Sequence, residues 1–376
     1  MSGTNCKHQL GVSLLQKLCK DEKSNFVFSP LSLGTAFAML AAGLKGDTKE
    51  ELLQFLGCKN ETALHEMYAS VLANKDLPLK IANKYVAQDK VTVLKDFDEF
   101  LKTKYQSEVE TVDFVANGRA VEQKINSWVA EKTNNMIKTL LPANSLTPDT
   151  IMVLLNAVYF KGTWVQEFQP VPGKLDFTLK DGTIVKKDFM TKTSKKFHYS
   201  ETDKLRLVKI PYNEAKCYMI VALPIDGTKH IDDVLQQMSP ADMATAIKNL
   251  ESGGGLPVDL TMPKFKIEYS FETVKSHMQQ LGVDKIFKAG VGDFSNMFSN
   301  SEDLASHVST IFHRAVVEVD ERGTKAAAAT AIVMNKRMSL GRLPPENIVV
   351  VLNRPFHFQI LCADSVAFAG ICRGPM

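Results

Sequence analysis

No run of apolar residues in this chain approaches the roughly 18–20 needed to cross a bilayer as a helix, and no membrane partner is expected. Neither sign of charge dominates: 45 Lys and Arg against 42 Asp and Glu leave a net +3. That balance is too small to argue for nucleic acid, and none is expected as a partner. Cysteine is sparse. Cys6, Cys19, Cys58, Cys217, Cys362 and Cys372 are scattered, without a C-x-x-C pair, and predict small buried hydrophobes rather than a disulfide framework. The motifs of common catalytic sites are missing too: G-x-S-x-G, H-E-x-x-H, G-x-x-x-x-G-K-[ST] and G-x-G-x-x-G. The eight histidines show no metal-ligand spacing, so neither a metal nor an enzyme is expected. The first twenty residues do not read as a secretory leader, because Gln16 and Lys17 interrupt the apolar stretch and no small-residue cleavage site follows. Leu10, Leu14 and Leu18 instead repeat as on one face of a helix. The protein therefore stays inside, leaves by another route, or has lost a leader.

What is present is ordinary globular material. Of the 376 residues, 45% are hydrophobic and 23% charged, enough for a large core. The first half reads as helix-rich. Ser29-Pro30 opens one helix, Thr48 with Glu51 forms a capping box for another, and "AVEQKINSWVAEKTNNMIKTLL" predicts a third that ends at Pro142. "TIMVLLNAVYFKG" predicts a buried central strand. "RLVKIPY", "CYMIVALP" and "VDLTMPKFKIEY" predict further strands. Helices return near 231–250 and 271–281, and the C-terminus is β: "RAVVEVDE", "NIVVVLN", "FHFQILCA" and "SVAFAGICR". No internal repeat or low-complexity linker divides the chain, so residues 1–376 are expected to form one large α+β domain.

One stretch stands apart: "GTKAAAATAIVMNKRMSLGRLPP", residues 323–345. Alanine favours helix, but a strand-like run to Asp320-Glu321 precedes it, Gly323 is a hinge candidate, and Pro344-Pro345 blocks continuation. Loops of that length inside a compact domain are usually functional. With a period of two, Thr324, Ala326, Ala328, Thr330 and Ile332 share one face, which holds nothing large or charged. Lys325, Ala327, Ala329, Ala331 and Val333 share the other. The segment thus suits two states, an exposed loop and a strand added to a sheet. Lys336 and Arg337 in an exposed loop also suit cleavage by a trypsin-like enzyme, whose specificity pocket holds an aspartate. A solvated charge pair is the plain alternative.

Several ordered blocks along the whole chain carry a resemblance to the serpin family. They are "NFVFSPLSLGTAFAMLAAGLKGDTKEEL", "INSWVAEKTNNMIKTLLP", "LLNAVYFKGTWVQEF", "FHRAVVEVDERGTKAAAAT", "NRPFHFQI" and "VAFAGICRGP". The resemblance implies an α+β fold with three β-sheets, eight to nine helices and an exposed reactive-centre loop at about 321–345. It implies a suicide-substrate mechanism in which a protease acylates itself on the loop, and the freed loop then enters the main sheet. It places the hinge at Glu321, Gly323, Thr324, Ala326, Ala327, Ala328, Ala329 and Thr330, and the reactive bond between Arg337 and Met338, sixteen residues beyond Glu321. Trp164 resembles the tryptophan under the point of loop entry. Ser29, Ser32, Asn156 and His313 resemble the polar cluster beneath the centre of the sheet, where strands part.

By the same resemblance the expected partner is a serine protease, trypsin-like through Arg337 and of the coagulation, fibrinolytic or inflammatory kind. Cleavage after Met338 or Met334 would instead select chymotrypsin-like or elastase-like enzymes. No cofactor is required. Lys186, Lys187, Lys192, Lys195 and Lys196 are candidate glycosaminoglycan contacts, with a solvated charged face as the alternative. The alanine-rich hinge is similar to that of arthropod members of the family, tick salivary ones included. That similarity favours an extracellular monomer acting on a host's haemostatic or immune proteases. A cytoplasmic location and a non-inhibitory carrier or chaperone are the alternatives.

Overall fold

The computed structural model describes residues 3–107, 109–214, 216–252, 256–299, 305–323 and 347–374. In chain order the helices are α1 (Gly3–Asp21), α2 (Pro30–Ala42), α3 (Gly46–Phe55), α4 (Glu61–Ala73), α5 (Lys95–Tyr105), α6 (Phe114–Lys132), α7 (Ile231–Gln236), α8 (Pro240–Ser252) and α9 (Val274–Gln280). The strands are β1 (Phe26–Phe28), β2 (Leu79–Gln88), β3 (Val109–Val112), β4 (Met152–Phe160), β5 (Gln169–Thr178), β6 (Ile184–Ser194), β7 (His198–Glu201) and β8 (Leu205–Pro211). They continue as β9 (Cys217–Pro224), β10 (Val258–Pro263), β11 (Phe265–Ser270), β12 (Thr310–Val319), β13 (Ile348–Val351), β14 (Phe356–Cys362) and β15 (Ser365–Cys372). Three sheets result, ordered β11-β12-β4-β2-β3, β1-β15-β14-β9-β8-β7 and β13-β10-β6-β5. The fold is α+β, as expected.

Burial explains which elements sit at the centre. α2 is apolar almost all round and is buried at every position from Pro30 to Ala41, as a helix enclosed by core must be. Its start is fixed by Ser29, whose side chain accepts from Ser32 N, with Pro30 in the first turn. β4 is buried at every position, as its unbroken apolar run predicts. α2 covers one face of it, and α6 the other. The α6 side is a second, smaller core in which Val121, Ile125 and Val129 meet Val153 and Leu155 of β4 and Val316 of β12.

Four expectations need correction. "VDLTMPKFKIEY" is two strands: the chain leaves β10 at Pro263, enters β11 at Phe265, and so passes from the four-stranded to the five-stranded sheet. α6 stops at Lys132, not at Pro142, because Asn134 and Asn135 adopt left-handed backbone (φ 53° and 61°). The segment beyond then lays Ile137, Leu140 and Leu141 on the sheet. α3 begins at Gly46 without a side-chain cap. Thr48 Oγ1 accepts from Asp293 N, and Glu51 Oε1 accepts from Asp284 N and Lys285 N, so both residues serve a tertiary contact instead of a capping box.

The cysteines are the fourth. Cys217 and Cys362 stand directly opposite each other on antiparallel β9 and β14 and form a disulfide, with Cα atoms 4.2 Å apart. Cys58 is also disulfide-bonded. Scattered spacing missed the pair because 145 residues separate partners that only the sheet brings together. Cys19 and Cys372 are free and buried, and burial pushes both thiols well above their ordinary range. Replacing Cys217 and Cys362 together by alanine is expected to lower unfolding free energy by about 2–4 kcal/mol, read as an earlier urea midpoint. A midpoint unchanged by the double replacement would place that stability elsewhere.

Candidate functional site

The centre of the five-stranded sheet is a seam between two parallel strands. β12 lies parallel to β4 from Thr310 opposite Val153 to Val316 opposite Tyr159. β12 is antiparallel to β11, and β4 to β2. A strand turning back from the end of β12 and entering this seam would be antiparallel to both neighbours. It would replace one parallel ladder, slightly the weaker kind per residue, with two antiparallel ones.

Beneath the seam the predicted polar residues meet. His313 and Asn156 are register partners across it. Asn156 Nδ2 donates to Ser32 Oγ (2.7 Å) and to Asn83 Oδ1 (2.6 Å), so its Oδ1 accepts from His313 Nδ1. The other imidazole nitrogen, Nε2, accepts from Ser29 N at 3.1 Å. These partners require a neutral imidazole protonated at Nδ1. Burial enforces the same state, pulling the His313 pKa down from 6.5 to about 3. Ser29, Ser32, Asn156 and His313 are thus brought together, and Asn83 completes the group. The sequence reading missed Asn83. Its signal was a polar residue among Leu79, Ile81, Tyr85 and Ala87, which share its face of β2 and join the main core.

A pH dependence follows. The unfolded histidine takes up a proton below about 6.5, whereas the folded one resists until about 3. Stability is therefore full above 6.5 and is lost as pH falls through that window, at up to ~1.4 kcal/mol per pH unit for each such group. His357, buried and held at about 4, adds to the slope. In urea unfolding between pH 6.5 and 4, His313→Gln should show a shallower decline than the parent, by about one proton. A variant that keeps the full acid slope would contradict the assignment.

The upper end of the seam is fastened by Trp164. Its indole is buried, stacks on Tyr212 with centroids 4.3 Å apart, and meets Phe168 edge-on. Trp164 Nε1 donates to Asp320 O (2.9 Å), Trp164 N to Arg322 O (2.9 Å), and Phe168 N to Glu321 O (2.8 Å). The turn that ends β12 is thereby sewn to the segment following β4. Asp320 Oδ1 accepts from Arg322 N and Gly323 N. Gly323 has φ 135°, and a Cβ there would stand 2.3 Å from Gly162 O, so no other residue fits. Glu321 pairs with Lys264 at 3.1 Å, a contact that spacing alone could not reveal. The remaining predicted hinge and reactive-bond positions, Thr324, Ala326, Ala327, Ala328, Ala329, Thr330, Arg337 and Met338, lie outside the described residues, as does Met334.

The five lysines are not gathered. Lys186 and Lys187 alternate across β6, and Lys192 follows further along the strand. Lys186 is paired with Asp176 at 2.7 Å. Lys195 and Lys196 are exposed beyond the end of the strand.

Residues 5–375 match the family model described as serpin (serine protease inhibitor). Human serpin B8 is 32% identical, over 93% of this chain and 92% of its own. Intracellular coagulation inhibitor 2 of the horseshoe crab Tachypleus tridentatus is 30% identical, over 97% of this chain and 89% of its own. Among solved structures, native tengpin, a thermophilic serpin, superposes with a TM-score of 0.86 at 26% identity, covering 99% of this chain and 94% of the other. The chain belongs to the serpin family.

Proposed function

We propose that this serpin is a suicide-substrate inhibitor of trypsin-like serine proteases. The protease serine attacks the carbonyl of Arg337, forms an acyl ester with it, and releases Met338 as a new amino terminus. The freed segment from Gly323 onward then enters the β12–β4 seam as an antiparallel strand and carries the acylated protease away from the entry point. The observation that supports this reading is the seam itself: two parallel strands, joined at their middle by His313 and Asn156, with Gly323 at the end from which an inserted strand would start. Opening it requires the His313–Asn156 contact to break and the α6 layer to yield, which makes the intact form a kinetic trap. Alternating small residues from Thr324 to Ile332 suit burial in such a place.

We infer further that the chain acts as a monomer in an extracellular setting, on proteases of the coagulation, fibrinolytic or inflammatory kind. The Cys217–Cys362 bridge supports this, because disulfides persist in oxidising compartments. No cofactor is needed for the trapping step. Lys186, Lys187, Lys192, Lys195 and Lys196 are the contacts to test for a glycosaminoglycan, although the Lys186–Asp176 pair and the split between faces weigh against a tight site. Titration of trypsin with the intact protein tests the main reading. A near-stoichiometric, irreversible loss of activity is expected. Turnover of the serpin without loss of protease activity would favour the substrate-like or carrier reading, and inhibition of elastase or chymotrypsin alone would move the reactive bond to Met334 or Met338.

A further inference from the structure

On the far side of β4 from the seam, the five-stranded sheet has an open stretch of strand edge. β3 pairs only with Tyr85–Gln88 of β2, so among the described residues Leu79–Lys84 have no outer strand neighbour. The parity of the β2–β4 ladder fixes what this edge presents. Pro78 O accepts from Lys161 N (3.0 Å), and Gln88 N donates to Ile151 O (2.8 Å), so even-numbered residues turn their backbone groups toward β4. Leu79, Ile81 and Asn83 therefore turn theirs outward, and the Asn83 carbonyl does so visibly, accepting from Ser107 Oγ at 3.2 Å. Among the described residues, nothing bonds to the outward backbone groups of Leu79 or Ile81.

This edge is recessed in a half-open groove, with Leu79 and Ile81 half-buried and Lys80 exposed. It lines a cavity of 460 Å³, a size usual for ligand sites. Val71, Leu72, Leu77 and Tyr105 form one wall, below the core side of β2. Trp128, Glu131 and Lys132 of α6 form the other. Asn83 also lines the cavity, and its Nδ2 is buried without a partner among the described residues. A row of unpaired backbone groups between an apolar wall and one of mixed polarity matches an extended peptide: its backbone would pair with Leu79 and Ile81, one set of alternate side chains would enter the apolar wall, and the other would lie against Trp128, Glu131 and Lys132. A compact small molecule would fill the walls and leave the backbone row unused.

We propose that the open edge of β2 is a docking groove for a short extended peptide segment with apolar side chains at alternate positions, bound by strand addition. A bound strand would tie β2 to the helices around it and hinder the outward shift of β4 and β2 that seam opening needs. Occupancy should therefore slow protease trapping. That consequence rests on the proposed function, whereas the binding does not.

The probe is an acetylated, amidated Thr-Val-Thr-Val-Thr-Val peptide, titrated calorimetrically into the full chain beside an analogue N-methylated at every peptide bond. The parent peptide should bind saturably and the analogue at least about tenfold more weakly, as expected for lost backbone pairing. Filling the wall with Val71→Trp should abolish binding. Amide hydrogen exchange on the unmodified chain gives a second reading should that variant fail to fold, with protection expected to rise at 79–83. Equal binding of both peptides, no binding at millimolar peptide, or protection appearing instead at 153–159 and 310–316, which would place the peptide in the seam, would each overturn the proposal.

Discussion

A single cut at the Arg337–Met338 bond should raise the thermal unfolding midpoint by roughly 20 °C or more. The sign comes from topology. Insertion replaces the parallel β12–β4 ladder with two antiparallel ones, so a strand of about ten residues gains on the order of ten net backbone hydrogen bonds, each worth about 1 kcal/mol. At about 2 °C per kcal/mol for a chain of this size, the shift is far outside measurement error. Differential scanning calorimetry of intact and loop-cleaved protein reads it directly. An unchanged midpoint would mean that the cut segment stays out of the sheet, as in a carrier or chaperone built on the same fold.

The second large effect concerns the face of the inserted strand. Period two places Ala328 with Thr324, Ala326, Thr330 and Ile332 on the face taken to lie over the core. Ala328→Arg would bury an unpaired guanidinium there, a desolvation penalty of several kcal/mol set against the insertion step. Insertion then loses the race with deacylation. The variant should be cut by trypsin as a substrate, with the number of serpin molecules consumed per protease rising at least about tenfold. Ala327→Arg shares the outward face with Lys325 and should remain an inhibitor. Stoichiometric titration of both variants checks this, and equal damage at the two positions would remove the alternation from the account.

The parts of the fold legible in the sequence were those where one signal dominates. The unbroken apolar run of β4, the Ser29-Pro30 start of α2 and the four C-terminal strands all stand where expected. Capping at Thr48 and the length of α6 were misread because tertiary contacts override local preference: Glu51 serves Asp284 and Lys285, and Asn134-Asn135 turn the chain out of the helix. The disulfide was invisible for a different reason. Only the register of β9 against β14 makes Cys217 and Cys362 neighbours. In the candidate site, Ser29, Ser32, Asn156 and His313 were reached through family resemblance, and hydrogen bonding then explains why these residue types belong there. Asn83 and Lys264 needed the fold, since their partners come from distant strands. The open edge of β2 needed it most, because an unpaired backbone leaves no mark in side-chain chemistry.

Covalent trapping through Arg337 is decided by one experiment. The intact protein is incubated with trypsin, resolved by denaturing electrophoresis, and the released C-terminal peptide is weighed by mass spectrometry. A serpin–trypsin adduct that survives detergent is expected, together with a peptide that begins at Met338. Cleavage at that bond with no adduct, under conditions where trypsin remains fully active, would contradict it.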